Sequence, residues 1–406
     1  MKALGYAPQP VTARRANLHG LARHALALAV SWPLLRTRLG DGGAPGSRTR
    51  SDPAQGFGPI IVPEVNAVMH QAIAVALTFV ALSLPLQGSA GEQLLPGALE
   101  SVAELPINPG NLAVTTDGRV FATVHQFRRT DAQLIEVTGP DSYRPWPDAA
   151  WNGAFGSGPE VLNSPLGIAI DRKGRLWVLD NGLGDPPQTP KLLAFLLSDG
   201  SLVFRYDFPP ETGPVGSFLN DLAVDDERGF VYIADVGGDH APALVWVDLE
   251  GETSRRFTDS TALAAEDVDL VVEGRVIGRR GEDGTLEPAR IAVHPITLSA
   301  DGEALFFGAI NGETWYRLPT GPLRVGADDA TIAAAIERAG PKPVSDGAST
   351  DAEGNHYFTD LGNNAITVLR AGGELETLVR DDRLLWPDAL SFGEPGWLYI
   401  AVNQLH

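Results

Sequence analysis

The feature that most constrains the fold of this chain is an internal repeat with a period of about fifty residues. In each of six copies, a short apolar strand leads into a turn of Asp-x-x-Gly type, and a strand rich in β-branched and aromatic residues follows. The second copy begins at Pro165 and reads PLGIAIDRKGRLWVLDNG. The turn residues of the first five copies, spaced 54, 54, 76 and 50 residues apart, are Asp117, Asp171, Asp225, Asp301 and Asp351. The sixth copy has Gly393 in that region.

Two further strand-like runs follow the hairpin in most copies. After the second copy, these runs are separated by Ser198-Asp199-Gly200, and Asp-Gly pairs supply the positive φ that tight hairpin turns require. Four antiparallel strands per repeat, with no helix between them, are typical of a β-propeller blade. The sequence therefore predicts an all-β chain that folds as a six-bladed β-propeller. A β-sandwich with accidental internal similarity is the alternative, and six copies in register count against it.

The last blade is predicted to be incomplete, because the chain reaches His406 just after the second strand of the sixth repeat. Leu99 to Leu105 could serve as the outer strand of that blade, which leaves its third strand without a candidate. An acidic insertion, about Thr261 to Pro288, lengthens the path into the fourth repeat, and residues 327–339 show helical spacing. Both are expected to be excursions over one face.

The first ninety residues differ from the rest, with eight basic and three acidic side chains. We interpret residues 1–68 as a leader that is either non-native or disordered, and translation that begins near Met69 would explain it. Residues 69–90 resemble a signal peptide, since an apolar run precedes the small residues Gly88-Ser89-Ala90. Residues 91–406 then form the propeller. This pattern predicts a secreted protein, extracellular or periplasmic, with no stable membrane span in its mature form.

Composition excludes several classes of function. The chain has no cysteine, so disulfides, cysteine-based metal sites and thiol catalysis are excluded. Its net charge of −20 argues against a nucleic-acid partner. No phosphate-binding loop or nucleophile elbow is present. The sequence leaves the oligomeric state open.

In a propeller, the first strand of each blade starts at one mouth of the channel, and the second strand ends at the same mouth. The residues at these strand ends, called openings and closings, are therefore predicted to form a site. The residues at the openings are Asn111, Asn163, Asn220, Asp221, His294, Asp346 and Asp388. The residues at the closings are His125, Asp180, Asn181, Asp235, Asn311, Asp360 and Asn403. Together they predict a polar, ligand-binding channel mouth.

This polarity also has a structural explanation, since Asp and Asn often end strands by bonding nearby backbone. If the residues do converge, carboxylates and amides suit calcium, an amine or a polyol. His125 and His294 are candidate general bases. Five tryptophans on or beside the strands are predicted to belong to the core rather than to a ligand platform: Trp177, Trp246, Trp315, Trp386 and Trp397.

The blade sequences, the stretch from Leu385 (LWPDALSFGEPGWLYIAVNQLH) above all, resemble the bacterial branch of the major royal jelly protein/Yellow family. The resemblance covers residues 99–406. It implies a secreted six-bladed propeller whose channel binds small amines or similar ligands. The cysteines of the insect members are absent here.

A more distant resemblance is to gluconolactonase-like six-bladed propellers, which are calcium-dependent lactone hydrolases. That resemblance implies a metal site at Asn220, Asp346 and Asp388, although the first blade offers Asn111 where those enzymes have a glutamate. The leading hypothesis is a propeller that binds a small polar or amine ligand at the channel mouth, with calcium as the one candidate cofactor. A calcium-dependent lactonase and a protein-interaction propeller are the alternatives, so enzyme activity stays open.

Overall fold

Six antiparallel sheets of four strands each build the part of the chain that the computed structural model describes, residues 32–39, 99–128, 130–184 and 186–406. The innermost strands contact one another in a closed cycle, blade after blade, and the sixth returns to the first. The chain is therefore a six-bladed β-propeller, as the repeat predicts. Among the described residues, no helix has the length and apolar character that crossing a membrane requires.

The strands follow the repeat closely. In chain order, the first two strands are Trp32–Arg38 (β1) and Leu99–Leu105 (β2). Blade 1 contains Pro109–Val114 (β3), Val120–Val124 (β4), Leu134–Gly139 (β5) and Ser142–Pro145 (β6). Blade 2 contains Pro165–Ile170 (β7), Arg175–Asp180 (β8), Lys191–Leu196 (β9) and Leu202–Asp207 (β10). Blade 3 contains Leu219–Asp225 (β11), Phe230–Asp235 (β12), Ala243–Asp248 (β13) and Thr253–Phe257 (β14).

An insertion with two small hairpins separates blades 3 and 4. Its strands are Val271–Val272 (β15), Arg275–Val276 (β16), Gly278–Arg280 (β17) and Leu286–Pro288 (β18). Blade 4 contains Val293–Leu298 (β19), Ala304–Ala309 (β20), Thr314–Pro319 (β21) and Glu337–Pro341 (β22). Blade 5 contains Ala348–Thr350 (β23), His356–Asp360 (β24), Ala365–Leu369 (β25) and Leu375–Arg380 (β26). Blade 6 begins with Pro387–Phe392 (β27) and Trp397–Val402 (β28).

The sixth blade is completed from the start of the chain. Its strand order is β2-β1-β28-β27, so Leu99–Leu105 is the outer strand, as predicted. The third strand, for which the repeat offers no candidate, is Trp32–Arg38, and the blade has four strands rather than an incomplete set. The predicted signal peptide, residues 69–90, and the rest of the predicted leader lie outside the described residues and stay predictions.

The predicted helix at residues 327–339 is wrong in its extent. Two short helices occupy this connection, Thr320–Arg324 (α1) and Asp329–Ala334 (α2). Asp328 caps α2 by accepting a hydrogen bond from the backbone N–H of Thr331. From Glu337 the chain is extended and supplies the outer strand of blade 4, where backbone groups pair with β21.

Large apolar side chains fill the spaces between adjacent blades. Trp177 and Trp315 are fully buried, and Trp246 and Trp386 are 3% and 5% exposed, so the prediction of core tryptophans is confirmed for these four. Trp397 is only partly buried and packs against the cluster between blades 6 and 1. The polar channel thus sits inside a rigid apolar ring.

Candidate functional site

A β-bulge opens the inner strand of five blades and fixes which side chains stand at the channel mouth. The register shifts, for example, between Pro109 and Leu112 in blade 1 and between Val293 and Ile296 in blade 4. Bulges turn a strand locally and re-aim its side chains. Residues in the corresponding position of the six blades are, in order, Gly110, Leu166, Asn220, His294, Asp346 and Asp388. This ring of six positions at the channel mouth is therefore non-polar at blades 1 and 2 and acidic at blades 5 and 6.

The structure brings the opening residues of several blades into contact across the channel. Asn111 donates its side-chain amide to Asp221 Oδ1 at 3.1 Å, although the two belong to blades 1 and 3. The amide nitrogen of Asn220 lies 2.7 Å from His294 Nε2 and 3.0 Å from Nδ1. His294 Nε2 in turn lies 3.1 Å from Asp346 Oδ1. Five predicted residues thus form two connected groups.

Three carboxyl groups in this cluster have raised pKa values, first because they are buried and, for Asp346 and Asp388, also because of neighbouring carboxylates. Burial raises the pKa of Asp221 to about 7 and that of Asp346 to about 7, and the charge of Asp221 adds to the effect on Asp346. Burial, followed by the charges of Asp346 and Asp221, raises the pKa of Asp388 well above its usual range. Asp346 is 3% exposed, and its Oδ1 makes no hydrogen bond despite the nearby imidazole. Asp388 accepts a hydrogen bond from Asn403.

Several other buried carboxylates form an ion pair with a basic side chain, and these three do not. Asp171 pairs with Arg175, Asp180 with Lys191, Asp225 with Arg228 and Asp235 with Arg256, a list that covers blades 2 and 3. Within the described residues, no Lys or Arg forms an ion pair with Asp221, Asp346 or Asp388. A buried carboxylate without a cation is unfavourable, so the cluster holds protons or a cationic guest.

Lys342 is the buried amine whose charge reaches this region, lowering the pKa of His294. Its Nζ donates to the carbonyl oxygens of Gly312 and Pro343, at 2.8 and 2.9 Å, and to Ser345 Oγ at 3.3 Å. All three of its protons are therefore engaged, one with the turn between β20 and β21 and two with its own loop, and none of these bonds reaches a carboxylate of the cluster.

Both channel histidines are neutral. Burial and the charge of Arg128 lower the pKa of His125 to about 4, and burial and the charge of His125 lower that of His294 to about 3. The backbone N–H of Phe127 donates to His125 Nδ1 at 3.3 Å, so the remaining ring proton is on Nε2. His125 can therefore donate a hydrogen bond from Nε2 to a guest.

Most residues that close the second strands hold loops instead of facing the cluster. Asp180 accepts hydrogen bonds from the backbone N–H groups of Asn163 and Gly182. Asp235 accepts from Phe218 and Gly237 in the same way. Asp180 and Asp235 therefore end their strands by bonding nearby backbone, as the structural explanation of these polar residues predicts.

The remaining predicted residues are also engaged locally. Asn163 accepts from the Gly156 N–H and donates to two carbonyl oxygens of the preceding loop. Asn311 bonds the backbone of Ile291 and Val268, and Asp360 accepts from Asn363 and Thr367. Asn181 donates to the Ser164 carbonyl at 3.4 Å, and its Oδ1 is buried without a hydrogen-bond partner.

Trp386 is a site residue that the sequence assigns only to the core. It stands one residue before Pro387, where blade 6 opens, and its backbone has φ of +57°. Its indole N–H donates to Asp346 Oδ2 at 2.6 Å. The available signal was its place directly before the proline that opens the inner strand, which Ser164 shares in blade 2; both residues have a positive φ.

The insertion between blades 3 and 4 roofs this side of the mouth. Leu270 and Val272 are fully buried against Leu361 of blade 5 and Trp386 of blade 6. Glu273, at the turn of the same hairpin, accepts from His406 Nε2 at 3.0 Å. His406 also stacks parallel to the Trp386 ring, with centroids 6.2 Å apart. The acidic part of the ring is thus covered by the hairpin.

A separate cavity lies beside the mouth between blades 1 and 2. It has a volume of about 370 Å³ and is lined by Gln126, Gln133, Asn152, Phe155 and Ser164, among others. The side chain of Asn152 accepts from two backbone N–H groups and donates to two carbonyl oxygens, which fixes one wall. Its walls are mostly amides, hydroxyls and small apolar side chains, and Asp131 is the carboxylate among them.

Three side chains at the channel mouth form a candidate donor set for a metal ion. Asn220, Asp346 and Asp388 offer oxygen ligands of the type that calcium prefers. Within the described residues, however, no three His, Asp or Glu side chains are arranged to hold a metal ion. The calcium site suggested by the lactonase resemblance, which includes an asparagine, stays a prediction.

Comparison with known proteins gives both sequence relatives and fold neighbours. Major royal jelly protein 7 of Apis mellifera is 35% identical over 158 residues, which is 35% of this chain and 34% of that protein. Protein yellow of Drosophila madeirensis is 26% identical over 293 residues, 66% of this chain and 50% of that protein. The chain spans a third to a half of the length of these two relatives.

Solved structures of low sequence identity are also similar. A streptogramin B lyase has a TM-score of 0.43 and 17% identity, over 73% of this chain and 91% of that one. A gluconolactonase from Xanthomonas campestris has a TM-score of 0.44 and 13% identity, over 73% and 86% of the two chains. The model of the major royal jelly protein family matches residues 163–406, from the second blade through the sixth. Since this match covers more than half of the sequence, the chain belongs to the major royal jelly protein family.

Proposed function

We propose that this protein is a secreted propeller that binds a small organic amine at the channel mouth. The observation that carries the proposal is the carboxyl cluster of Asp221, Asp346 and Asp388, which has no Lys or Arg ion pair within the described residues. An ammonium group supplies both the missing charge and N–H donors. Asp346 Oδ1, which has no hydrogen-bond partner, is the acceptor best placed to receive one.

The non-polar side of the ring suits the remainder of such a ligand. Gly110 and Leu166 stand at blades 1 and 2, where blades 5 and 6 have Asp346 and Asp388. His125 adds a neutral N–H donor on the blade 1 side. A ligand with an amine at one end and a flat, mostly apolar body with a hydroxyl would match this polarity, as tyramine does.

A calcium-dependent lactonase is the second candidate, with Asn220, Asp346 and Asp388 as the ligands. The oxygen-rich donor set supports it, and a bound cation would polarise the carbonyl group of a lactone. The amine is the leading candidate because an ammonium group would supply both a positive charge and N–H donors to the carboxyl cluster. Secretion rests on the signal-peptide pattern at residues 69–90, and the N-terminus of protein recovered from the medium or periplasm tests it.

Isothermal titration calorimetry with tyramine, in the presence and absence of calcium, tests the binding proposal. We expect tyramine to bind without calcium and Asp346→Asn to weaken binding at least tenfold. Asp301→Asn is the matched control, because this carboxylate lies in an exposed turn of blade 4 and its loss changes the net charge equally. No heat from tyramine, combined with calcium binding and lactone hydrolysis that Asp346→Asn abolishes, would replace the amine proposal by the lactonase.

A further inference from the structure

Strand β1 fills a slot between two strands that do not pair with each other. In blade 6, β1 pairs with β2 on one side, from Trp32 opposite Leu105 to Thr37 opposite Leu99. On its other side it pairs with β28, from Leu34 opposite Ala401 to Arg38 opposite Trp397. Without β1, both β2 and β28 would present an edge of unpaired backbone groups, and such edges bind extended peptides.

The side chains of β1 connect blade 6 to both of its neighbours in the ring. Leu34 is 2% exposed and belongs to the apolar cluster shared with blade 1. Leu35 is 1% exposed and belongs to the cluster shared with blade 5. Successive side chains of a strand point to opposite faces of the sheet, so the two adjacent leucines reach both neighbouring blades. The slot therefore requires two adjacent apolar residues.

Arg36 adds sequence specificity to the backbone pairing. Its guanidinium lies 4.0 Å from the centroid of the Trp397 ring. The same group forms ion pairs with Glu394 at 2.8 Å and Glu100 at 3.1 Å. It also donates to the hydroxyl of Tyr399 at 3.2 Å. An arginine directly after the two leucines is thus held by β2, β28 and the turn that precedes β28.

We propose that the slot between β2 and β28 is a peptide-binding site in its own right, and that residues 32–38 are its ligand, held non-covalently. The ligand class is an extended segment with two adjacent apolar residues followed by arginine. A break in the chain between β1 and β2 then leaves the strand in place and the ring closed. This site is independent of ligand binding at the channel mouth.

Two polar atoms show that the natural segment does not use the slot fully. Thr37 is fully buried, and its hydroxyl has no hydrogen-bond partner. The indole N–H of Trp32 is also buried without a partner. A buried, unsatisfied hydroxyl is unfavourable, so Thr37→Val should make the segment bind more tightly. This gain provides a test that does not depend on damaging the fold.

The experiment uses the full chain with a recognition sequence for a site-specific protease inserted between residues 60 and 61. After cleavage, size-exclusion chromatography and mass spectrometry determine whether the N-terminal piece stays with the propeller. We expect it to co-elute with the propeller, and an excess of synthetic peptide of residues 30–40 to displace it slowly. Displacement should be at least fivefold slower for Thr37→Val and faster for Leu35→Asp.

Two outcomes would overturn the proposal. One is an N-terminal piece that separates at once after cleavage while the propeller stays folded. The other is natural mature protein that begins at residue 91, since it would lack β1 altogether. The second outcome is the one that cleavage after the predicted signal peptide, residues 69–90, would give, so it would support secretion by that route and overturn the β1 proposal. Neither outcome bears on amine binding, so the two binding proposals fail separately. If Leu35→Asp does not fold, the Thr37→Val comparison and the peptide displacement still show whether the slot binds residues 32–38 non-covalently.

Discussion

The indole nitrogen of Trp386 lies 2.6 Å from Oδ2 of Asp346 and connects the roof of the channel mouth to its carboxyl cluster. Trp386 directly precedes the first strand of blade 6, and Asp346 lies just before the first strand of blade 5. Because the N–H stabilises the ionised carboxylate, it lowers the pKa of Asp346 against the larger, opposite effect of burial. Trp386 therefore helps to set how much of the cluster is charged near neutral pH.

Replacing Trp386 by phenylalanine should raise the pKa of Asp346 above about 7, as followed by carbon NMR of the carboxyl group. The lost hydrogen bond to a charged group should also cost about 1.5–3 kcal/mol in free energy of unfolding at pH 8. Trp315→Phe is the matched control, because the Trp315 indole is buried but its N–H has no partner. An unchanged Asp346 pKa in Trp386→Phe would contradict this assignment.

Replacing Asp346 by asparagine should stabilise the protein at pH 8 and have little such effect at pH 4. The folded-state pKa of Asp346 is raised from 3.8 to about 7, so between these values the folded protein holds a proton that the unfolded chain has released. Its contribution to stability is therefore present below pH 4 and lost as the pH rises through 7. Asparagine does not titrate and can still accept from Trp386.

The expected gain at pH 8 is up to a few kcal/mol, since each pKa unit corresponds to about 1.4 kcal/mol. Chemical denaturation at the two pH values measures it. Asp180→Asn provides the contrast, because this buried carboxylate is paired with Lys191 at 2.7 Å and its loss leaves the lysine without its counter-charge. Equal destabilisation of both variants at pH 8 would show that Asp346 is ionised and paired like Asp180.

The ring of His125 should be neutral and carry its proton on Nε2 at pH 6. Burial holds its pKa near 4, and Nδ1 is occupied as an acceptor for the Phe127 N–H. Long-range ¹⁵N–¹H NMR distinguishes this tautomer from the Nδ1–H form and from imidazolium. His240, which is exposed and contacts the carbonyl of Val215, serves as an internal reference. A doubly protonated His125 at pH 6 would refute the assignment.

Gly167→Ala should destabilise the protein and disturb the cluster, although no functional atom is removed. A Cβ on Gly167 would lie 2.6 Å from the backbone oxygen of Asn220 in the adjacent inner strand. Such overpacking typically costs about 1–3 kcal/mol, which thermal denaturation would detect. Gly321→Ala is the control, since it has open space in helix α1 and should be neutral or stabilising by about 0.5–1 kcal/mol. Equal stability of both variants would contradict close packing of the inner strands.

The blades could be predicted because their determinants are local. Asp-x-x-Gly turns specify hairpins within a few residues, and the repeat multiplies this signal six times. The openings of the inner strands could likewise be predicted to converge, and Asn111 and Asp221 do meet across the channel. These predictions need only the geometry of a single blade.

The third strand of blade 6 and the surroundings of the strand-end carboxylates depend on contacts that sequence patterns do not show. Trp32–Arg38 lies in a stretch without periodicity, and its partners are more than sixty residues away or near the end of the chain. Asp180 and Asp346 are both acidic residues at strand ends, yet one faces Lys191 and the other a channel without a basic partner. Lys191 lies opposite Asp180 within the same blade, whereas the partners of Asp346 come from other blades.

The pairing of β1 with β28 also determines how the ring responds to mechanical load. Leu34 lies opposite Ala401 and Arg38 opposite Trp397, so the start of β1 and the end of β28 are neighbours. A force that pulls these two ends apart acts perpendicular to the strands and loads the inter-strand hydrogen bonds one at a time, from Leu34 towards Arg38. The bonds are peeled in succession rather than sheared together. Under tension, the propeller therefore opens first at the seam of its sixth blade.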